Sequence, residues 1–470
     1  MLPFNKIIFG MAAGESEASF YPDLIKNGFW DSCGHINSLI NGNKYLVLGY
    51  KGAGKSILGE KLLSLRNHDL FCQRHFLGDF PYGAFKKILP GIAEEDNKFP
   101  LTWSLLLLLL LLNSLLQDES FVARSTDFNR LIQELKKKGL LPADNLRSLV
   151  MKSSKNSFKV NLSVLEISHE DEKNYEANFV YLVDSIKDLL SKVITDAKHI
   201  LIIDGFDDIL SGRDLQYVSG AALIYETGRL NNFFVQNGIN CKIIVLCRTE
   251  LFEKMPTANK NKQRRDFAID IDWYSDPSNP GESELVQLVN MRAKLSDRSF
   301  SDISNCFVET HMNKKPIIHF LLDHTRHTPR DFIQLLTSLQ KTSQNGALTR
   351  REVLNGLADY SQNYFLPEIK DEMVGYFPVE VFDRFLHKIS SFRTREISTM
   401  NLLSTCDSVL DRETMENVLK QLFECSAIGN KAFSNNEERF YFRYRNRNYT
   451  YSLADTIVIH YGLWKTLGLT

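Results

Sequence analysis

Gly49-Tyr50-Lys51-Gly52-Ala53-Gly54-Lys55-Ser56 fits the pattern G-x-x-x-x-G-K-[ST] without a gap. The chemistry follows from the residue types. Glycines let the backbone curl until successive N–H groups point at phosphate oxygens. Lys55 supplies a compact positive charge for the β- and γ-phosphates, and Ser56 a hydroxyl for Mg2+. Tyr45-Leu46-Val47-Leu48 is a short apolar run that stops at Gly49, and helix-forming residues follow from Ser56 to Leu65. Strand, glycine loop and helix in that order bring the positive end of the helix to the same anion. Gly49, Gly52, Ala53, Gly54, Lys55, Ser56 and Ile57 are the candidate nucleotide-binding residues of the loop.

A second stretch completes the pattern: His199-Ile200-Leu201-Ile202-Ile203-Asp204-Gly205-Phe206-Asp207-Asp208. An apolar strand that ends in a carboxylate is the usual partner of a phosphate loop. Asp204, with Ser56, is the candidate Mg2+ site. Asp207 and Asp208 follow just past the strand end, where a carboxylate can activate water for attack on the γ-phosphate. Further on, Lys242–Arg248 forms another apolar run ending in an arginine. Thr328-Pro329-Arg330-Asp331 opens a helix, with Thr328 as N-cap and Pro329 at the first helical position.

The segment D-G-h-D-[DE] at 204–208 resembles the corresponding element of the STAND class of NTPases, especially NACHT-type modules. That resemblance gives Asp204 the metal role and Asp208 the role of base, with Asp207 in support. The base here is Asp where Glu is commoner, so its reach is shorter by one methylene. The resemblance also makes Arg248 a candidate γ-phosphate sensor. By spacing alone it is equally an arginine reaching outward from a strand end. P-R-D at 329–331 resembles the opening of the lid helix in AAA+ and STAND ATPases, where Arg330 would touch nucleotide. More broadly, the chain resembles a bacterial family of P-loop ATPases found beside prokaryotic defence genes. The shared start is F-G-x-A-x-x-E-x-E (Phe9, Gly10, Ala12, Glu15, Glu17).

Five apolar runs, 45–49, 71–77, 200–204, 243–247 and 267–271, read as a parallel sheet in an α/β core. The resemblance implies the strand order 5-1-4-3-2 of a P-loop NTPase. About 150 residues separate Lys55 from Asp204, roughly twice what a compact core of this size needs. The expected organisation therefore has four parts. Residues 1–44 pack on the ATPase core. Residues 45–275 form that core, with a helical insertion at 90–195. Residues 276–366 form a helical lid, and residues 367–470 a winged-helix-like domain.

Composition narrows the function classes. The 470 residues are 43% hydrophobic and 24% charged, which fits globular domains and not bulk disorder. Lys+Arg 56 against Asp+Glu 57 excludes a protein that coats nucleic acid over its whole surface. The seven cysteines form no C-x-x-C and suit reduced thiols. Leu105 to Leu112 is an unbroken leucine run, but its apolar window is shorter than the ~20 residues of a membrane span. It reads as a buried core helix. The early acids Glu15 and Glu17 argue against a signal peptide. The expectation is a cytoplasmic protein with no membrane partner.

Two basic stretches stand out. Lys254–Arg265 carries five cations and no acid before Asp266. Phe440–Arg447 interleaves Arg443, Arg445 and Arg447 with aromatics. As a strand it would put Phe440, Phe442 and Tyr444 on one face and arginines on the other. That is either a half-buried strand or a basic wing for DNA or RNA.

The main expectation is an ATP-binding and ATP-hydrolysing switch with Mg2+, the regulatory component of an antiviral defence-type system acting with a separate effector protein. ATP is the default because no N-K-x-D guanine motif is readable. Self-association into a homo-oligomer is a further expectation. The alternatives are a DNA-binding ATPase resembling origin-recognition or loader proteins, and a nucleotide-binding scaffold with little turnover.

Overall fold

The computed structural model describes residues 2–78, 80–89, 95–123, 126–143, 145–155, 175–205, 214–256, 259–274, 283–344, 346–374, 376–406, 411–434 and 437–469. The chain divides into two compact units. One is Asp31–Lys51 with Lys55–Ile271. The other is Met1–Trp30, Gly52–Gly54 and Asp272–Thr470.

The first unit is α/β. Strands β1 (Leu46–Gly49), β2 (Leu70–Phe76), β3 (Lys198–Asp204), β4 (Cys241–Arg248) and β5 (Ala268–Ile271) lie in the order β2-β3-β4-β1-β5. Every neighbouring pair is parallel. Parallel sheets are covered on both faces, so their inner strands read as unbroken apolar runs. Leu46–Leu48, Ile200–Ile203 and Ile243–Leu246 are such runs, and all are buried. The register sets Gly49 level with Arg248, and Asp204 level with Phe76. Ligands of open α/β sheets bind outside these carboxyl ends.

Helix α1 (Lys55–Ser64) follows β1 through the glycine loop. Helix α2 (Glu95–Leu115) carries the leucine run, and Leu105–Leu112 are all 0% exposed. One window, Lys98–Leu115, is long and apolar enough to cross a membrane, but 83% of it is buried inside the protein. Pro100 lies inside this helix, near its start. The described helices of the insertion join the core of the sheet. The leucines share one continuous core with Leu46, Leu48, Leu201, Ile203, Ile243 and Val245 of the sheet. Helices α3 (Tyr175–Leu190) and α4 (Asp214–Gln236) pack against α2. Trp103 Nε1 donates to Ser219 O of α4 at 3.0 Å. Residues 158–164, whose sequence alternates apolar and polar like a half-exposed strand, lie outside the described residues.

The second unit is helical with a small antiparallel sheet. Helices α5 (Glu284–Ser296) and α6 (Pro329–Thr342) precede a long helical run over Arg350–Met373. Thr328 caps α6 by accepting from Asp331 N, with Pro329 in the first turn, as its sequence predicts. The boundary expected at 366/367 falls inside the long run. Pro367 is tolerated there because a π-turn at Ser361–Phe365 already interrupts the regular ladder. Beyond it come α7 (Val379–Ser391), β6 (Glu396–Ser398), α8 (Thr399–Cys406), α9 (Arg412–Glu424), β7 (Ile428–Ser434), β8 (Glu437–Tyr441) and β9 (Thr456–Ile459). These four strands form a sheet in the order β6-β9-β7-β8. Residues from α5 to the C-terminal helix Tyr461–Leu467 share one core.

Of the N-terminal residues expected to act as one segment, 1–30 belong to this helical unit and 31–44 to the α/β unit. The reason is one buried arginine of α5. Arg292 donates to Glu17 Oε1 at 2.7 Å and Oε2 at 3.1 Å, to Phe9 O at 2.8 Å and to Gly28 O at 3.1 Å. A Cβ on Gly10 would lie 2.3 Å from both Arg292 Nη1 and Glu17 Oε2. The F-G…E pattern at the start of the chain is thus the receptor for an arginine 275 residues beyond Glu17.

Replacing Leu108 by Asp tests the burial of α2. An unpaired charge at a fully buried position destabilises by more than about 4 kcal/mol. The variant should lose cooperative urea unfolding and bind a hydrophobic dye, while Leu108→Met should behave as the parent.

Candidate functional site

The loop between β1 and α1 has the backbone that its glycines predict. Gly52 has φ +79° and Gly54 φ +98°, both in the region that side chains rarely adopt. Lys55 is buried, and its Nζ donates to Gly49 O at 3.0 Å and Tyr50 O at 3.2 Å. The ammonium is therefore held on the carbonyls at the start of its own loop. Ser56 and Ile57 follow in the first turn of α1, both half-buried.

Asp204 ends β3 and is 3% exposed. Its Oδ2 accepts from Ser56 Oγ at 3.2 Å, across 148 residues of sequence. Its Oδ1 accepts from Gly205 N at 2.7 Å. A hydroxyl and a strand-end carboxylate side by side are the hard oxygen donors that Mg2+ takes when phosphate and water supply the rest. The residues present thus fit an Mg2+–nucleotide. Arg248 ends β4 level with Gly49, so the sheet brings it to the root of the loop. Asp207 and Asp208 lie outside the described residues.

Sequence reasoning missed Arg74 of β2. Its Nε donates to Asp204 Oδ2 at 3.1 Å, and its Nη2 pairs with the same oxygen. Its Nη1 meets Glu60 Oε1 of α1 at 2.5 Å. An alternating Gln-Arg-His stretch gives no sign that its arginine is buried.

The tip of the loop, Gly52–Gly54, belongs to the helical unit. Trp273 Nε1 donates to Ala53 O at 2.8 Å, and Arg330 N to Gly52 O at 3.4 Å. A Cβ on Gly52 would lie 3.1 Å from Arg330 Cβ and Thr328 Oγ1. Arg330 therefore meets the loop through its backbone, while its guanidinium pairs with Glu368 at 3.3 Å. Asp331, next to it, is fully buried. Burial opposes its ionisation, but the Arg326 guanidinium at 2.9 Å overcomes this and holds the carboxyl at about 2. Tyr364 OH donates to it as well, at 2.8 Å.

Comparison with known proteins gives one family. Residues 283–366 match the model of the FunZ-associated C-terminal helical domain, which spans α5, α6 and most of the long helical run. No curated protein matches the chain.

The basic wing is not built as its alternation suggests. Strand β8 stops at Tyr441, and residues beyond it turn. Arg443 pairs with Glu424 at 3.1 Å and donates to Tyr449 O at 2.7 Å. Arg445 donates to Tyr444 OH at 3.1 Å, and Arg447 pairs with Asp272 at 3.4 Å. In the other basic stretch, Arg264 is bound by Glu253 and Asp270.

The fold also assembles a Ser–His–Asp set that the sequence does not announce. Ser114 Oγ lies 2.9 Å from His199 Nδ1, and His199 Nε2 lies 3.3 Å from Asp118 Oδ2. Ser114 is 3% exposed and His199 0% exposed. No substrate reaches such a serine, so the set is a buried tie between α2 and β3. Burial pushes the imidazole below its ordinary pKa. For Asp118, burial is opposed and outweighed by hydrogen bonds from Thr195 and Ser120, which hold its carboxyl low. Asp118→Asn should therefore destabilise the protein by about 1–3 kcal/mol in urea unfolding. A fluorophosphonate probe should leave Ser114 of the native protein unlabelled by mass spectrometry.

Proposed function

We propose that the chain is an ATP-binding P-loop switch that hydrolyses ATP with Mg2+. The observation that carries this reading is the hydrogen bond from Ser56 to Asp204. It joins the two motifs read in the sequence, at the carboxyl edge of a parallel sheet. The strand order supports the additional-strand class of P-loop NTPases, since from the β5 edge it reads 5-1-4-3-2. The succession α7-β6-α8-α9-β7-β8 supports a winged helix at the C-terminus, with β9 added between β6 and β7.

On this reading the loop N–H groups and Lys55 hold the phosphates. Mg2+, when bound, neutralises the charge on the β- and γ-phosphates. Lys55 leaves the carbonyls of Gly49 and Tyr50 to meet the γ-phosphate. Asp208, supported by Asp207, orients and deprotonates the attacking water, and Arg248 senses the γ-phosphate from the end of β4. The match to the FunZ-associated helical domain over 283–366 supports a helical lid over those residues. The biological setting we infer is an antiviral defence-type system, with this chain as the ATPase that controls a separate effector protein. Among the described residues, the pairing of Arg443, Arg445 and Arg447 with their own unit gives no support to the nucleic-acid reading.

A phosphate-release assay with matched nucleotide-binding measurements tests this. Lys55→Ala should abolish turnover, and a parental rate would refute the reading. Asp208→Asn should keep ATP binding and lose about 10²–10⁴-fold in rate, the usual cost of a missing general base. Asp204→Asn should instead weaken the Mg2+ dependence of binding. Equal and small effects at both positions would show the roles to be wrong.

A further inference from the structure

Arg74 bridges two carboxylates at the edge where Mg2+ would bind. Its guanidinium holds Asp204 Oδ2 through two nitrogens and Glu60 Oε1 through the third. Its side chain is 2% exposed, that of Asp204 4% and that of Glu60 17%. The guanidinium also lies 4.2 Å over the Phe76 ring, a contact independent of Asp204. The same Oδ2 accepts from Ser56. The carboxylate oxygen offered to the metal thus already carries a protein cation, together with the hydroxyl that would be the second ligand.

We propose that Arg74 is a resident counter-cation of the metal site, which Mg2+ must displace from Asp204 and which Glu60 then retains. The inference rests on the ATP reading above. Its physical basis is that a guanidinium and a divalent cation repel each other, and that Oδ2 of Asp204 already accepts from Arg74 Nε and Nη2 and from Ser56 Oγ. Charge-assisted hydrogen bonds are also the strong ones, so the exchange sets the Mg2+ concentration at which nucleotide binds. Glu60 lowers the cost of exchange by offering Arg74 a second anion at a distance it already spans. A purely structural arginine would affect stability and leave that concentration alone. One that merely oriented Asp204 for the metal would raise it when removed.

The test titrates Mg2+ against a fixed concentration of a fluorescent ATP analogue, with the parent, Arg74→Gln and Glu60→Gln, each checked for cooperative thermal unfolding. Arg74→Gln should lower the half-saturating Mg2+ concentration by about tenfold. Glu60→Gln should raise it, because Arg74 loses its alternative carboxylate. An unchanged or raised Mg2+ requirement in Arg74→Gln overturns the inference while leaving the ATP reading intact. If Arg74→Gln does not fold, the Glu60→Gln arm decides, and an unchanged or lowered requirement there overturns it. A parent that binds no analogue at any Mg2+ concentration overturns the ATP reading, and this inference with it.

Discussion

A carboxylate buried at the end of an apolar strand must be paired, and Asp204 determines much of what surrounds it. Left alone in that position it would lose its charge or destabilise the strand end. Ser56 brings the first turn of α1 to it, Arg74 brings β2, and Gly205 turns its own N–H back. Arg74 is equally buried and equally in need of partners, so the requirement is mutual. Glu60 closes the set from one turn further along α1. Strand end, loop exit and helix are thereby fixed relative to one another by charges, where an apolar contact would leave register and rotation freer. A buried ion pair is a poor source of net stability, but removing one partner is severe.

The helical unit relies on the same device with different partners. Arg292 is surrounded by Glu17 and the carbonyls of Phe9 and Gly28, and Arg326 by Asp331 and Glu372. Each uses the planar fork of the guanidinium to satisfy several acceptors that a lysine could not reach together. Arg292 fastens the first thirty residues. Arg326 holds Asp331, whose backbone N–H is also the one that Thr328 caps at the start of α6. The P-R-D signature therefore has a structural half and a loop-facing half in adjacent residues. Asp331 points into the buried network, while Arg330 N meets the carbonyl of Gly52.

What could be read from the sequence follows the range of the interactions. The sheet strands were legible because a strand buried on both faces leaves a continuous apolar run. The loop was legible because its glycines, Lys55 and Ser56 are contiguous. Arg74 was not, because its burial depends on a partner 130 residues away and its neighbours Gln73 and His75 look solvated. The His199 tie was hidden for the same reason, since Ser114 and Asp118 lie 85 and 81 residues before it. The arginines of 443–447 misled in the opposite direction. Their alternation resembles a strand face, but β8 ends at Tyr441, and a turn sends each arginine to its own acceptor. Glu17 was legible as part of a pattern, yet nothing local says that its partner is Arg292.

The leucine run explains why the segment between the two motifs is so long. A helix that is apolar on every side cannot rest on a sheet with its far face in water. One side of α2 meets the sheet, including β3, and α4 covers another. The remaining perimeter needs further helices with apolar stripes. The chain supplies them in 146–155, with Leu146, Leu149 and Val150 buried, and in α3, with Phe179, Leu182, Val183 and Ile186 buried. Those positions recur at three and four residues, the spacing of one helical face. Phe128, Leu131, Ile132 and Leu135 in 126–137 repeat the pattern and join the same core. The described helices between Lys55 and Asp204 therefore include the covering that a leucine-rich helix requires, and they extend the core of the sheet instead of founding another.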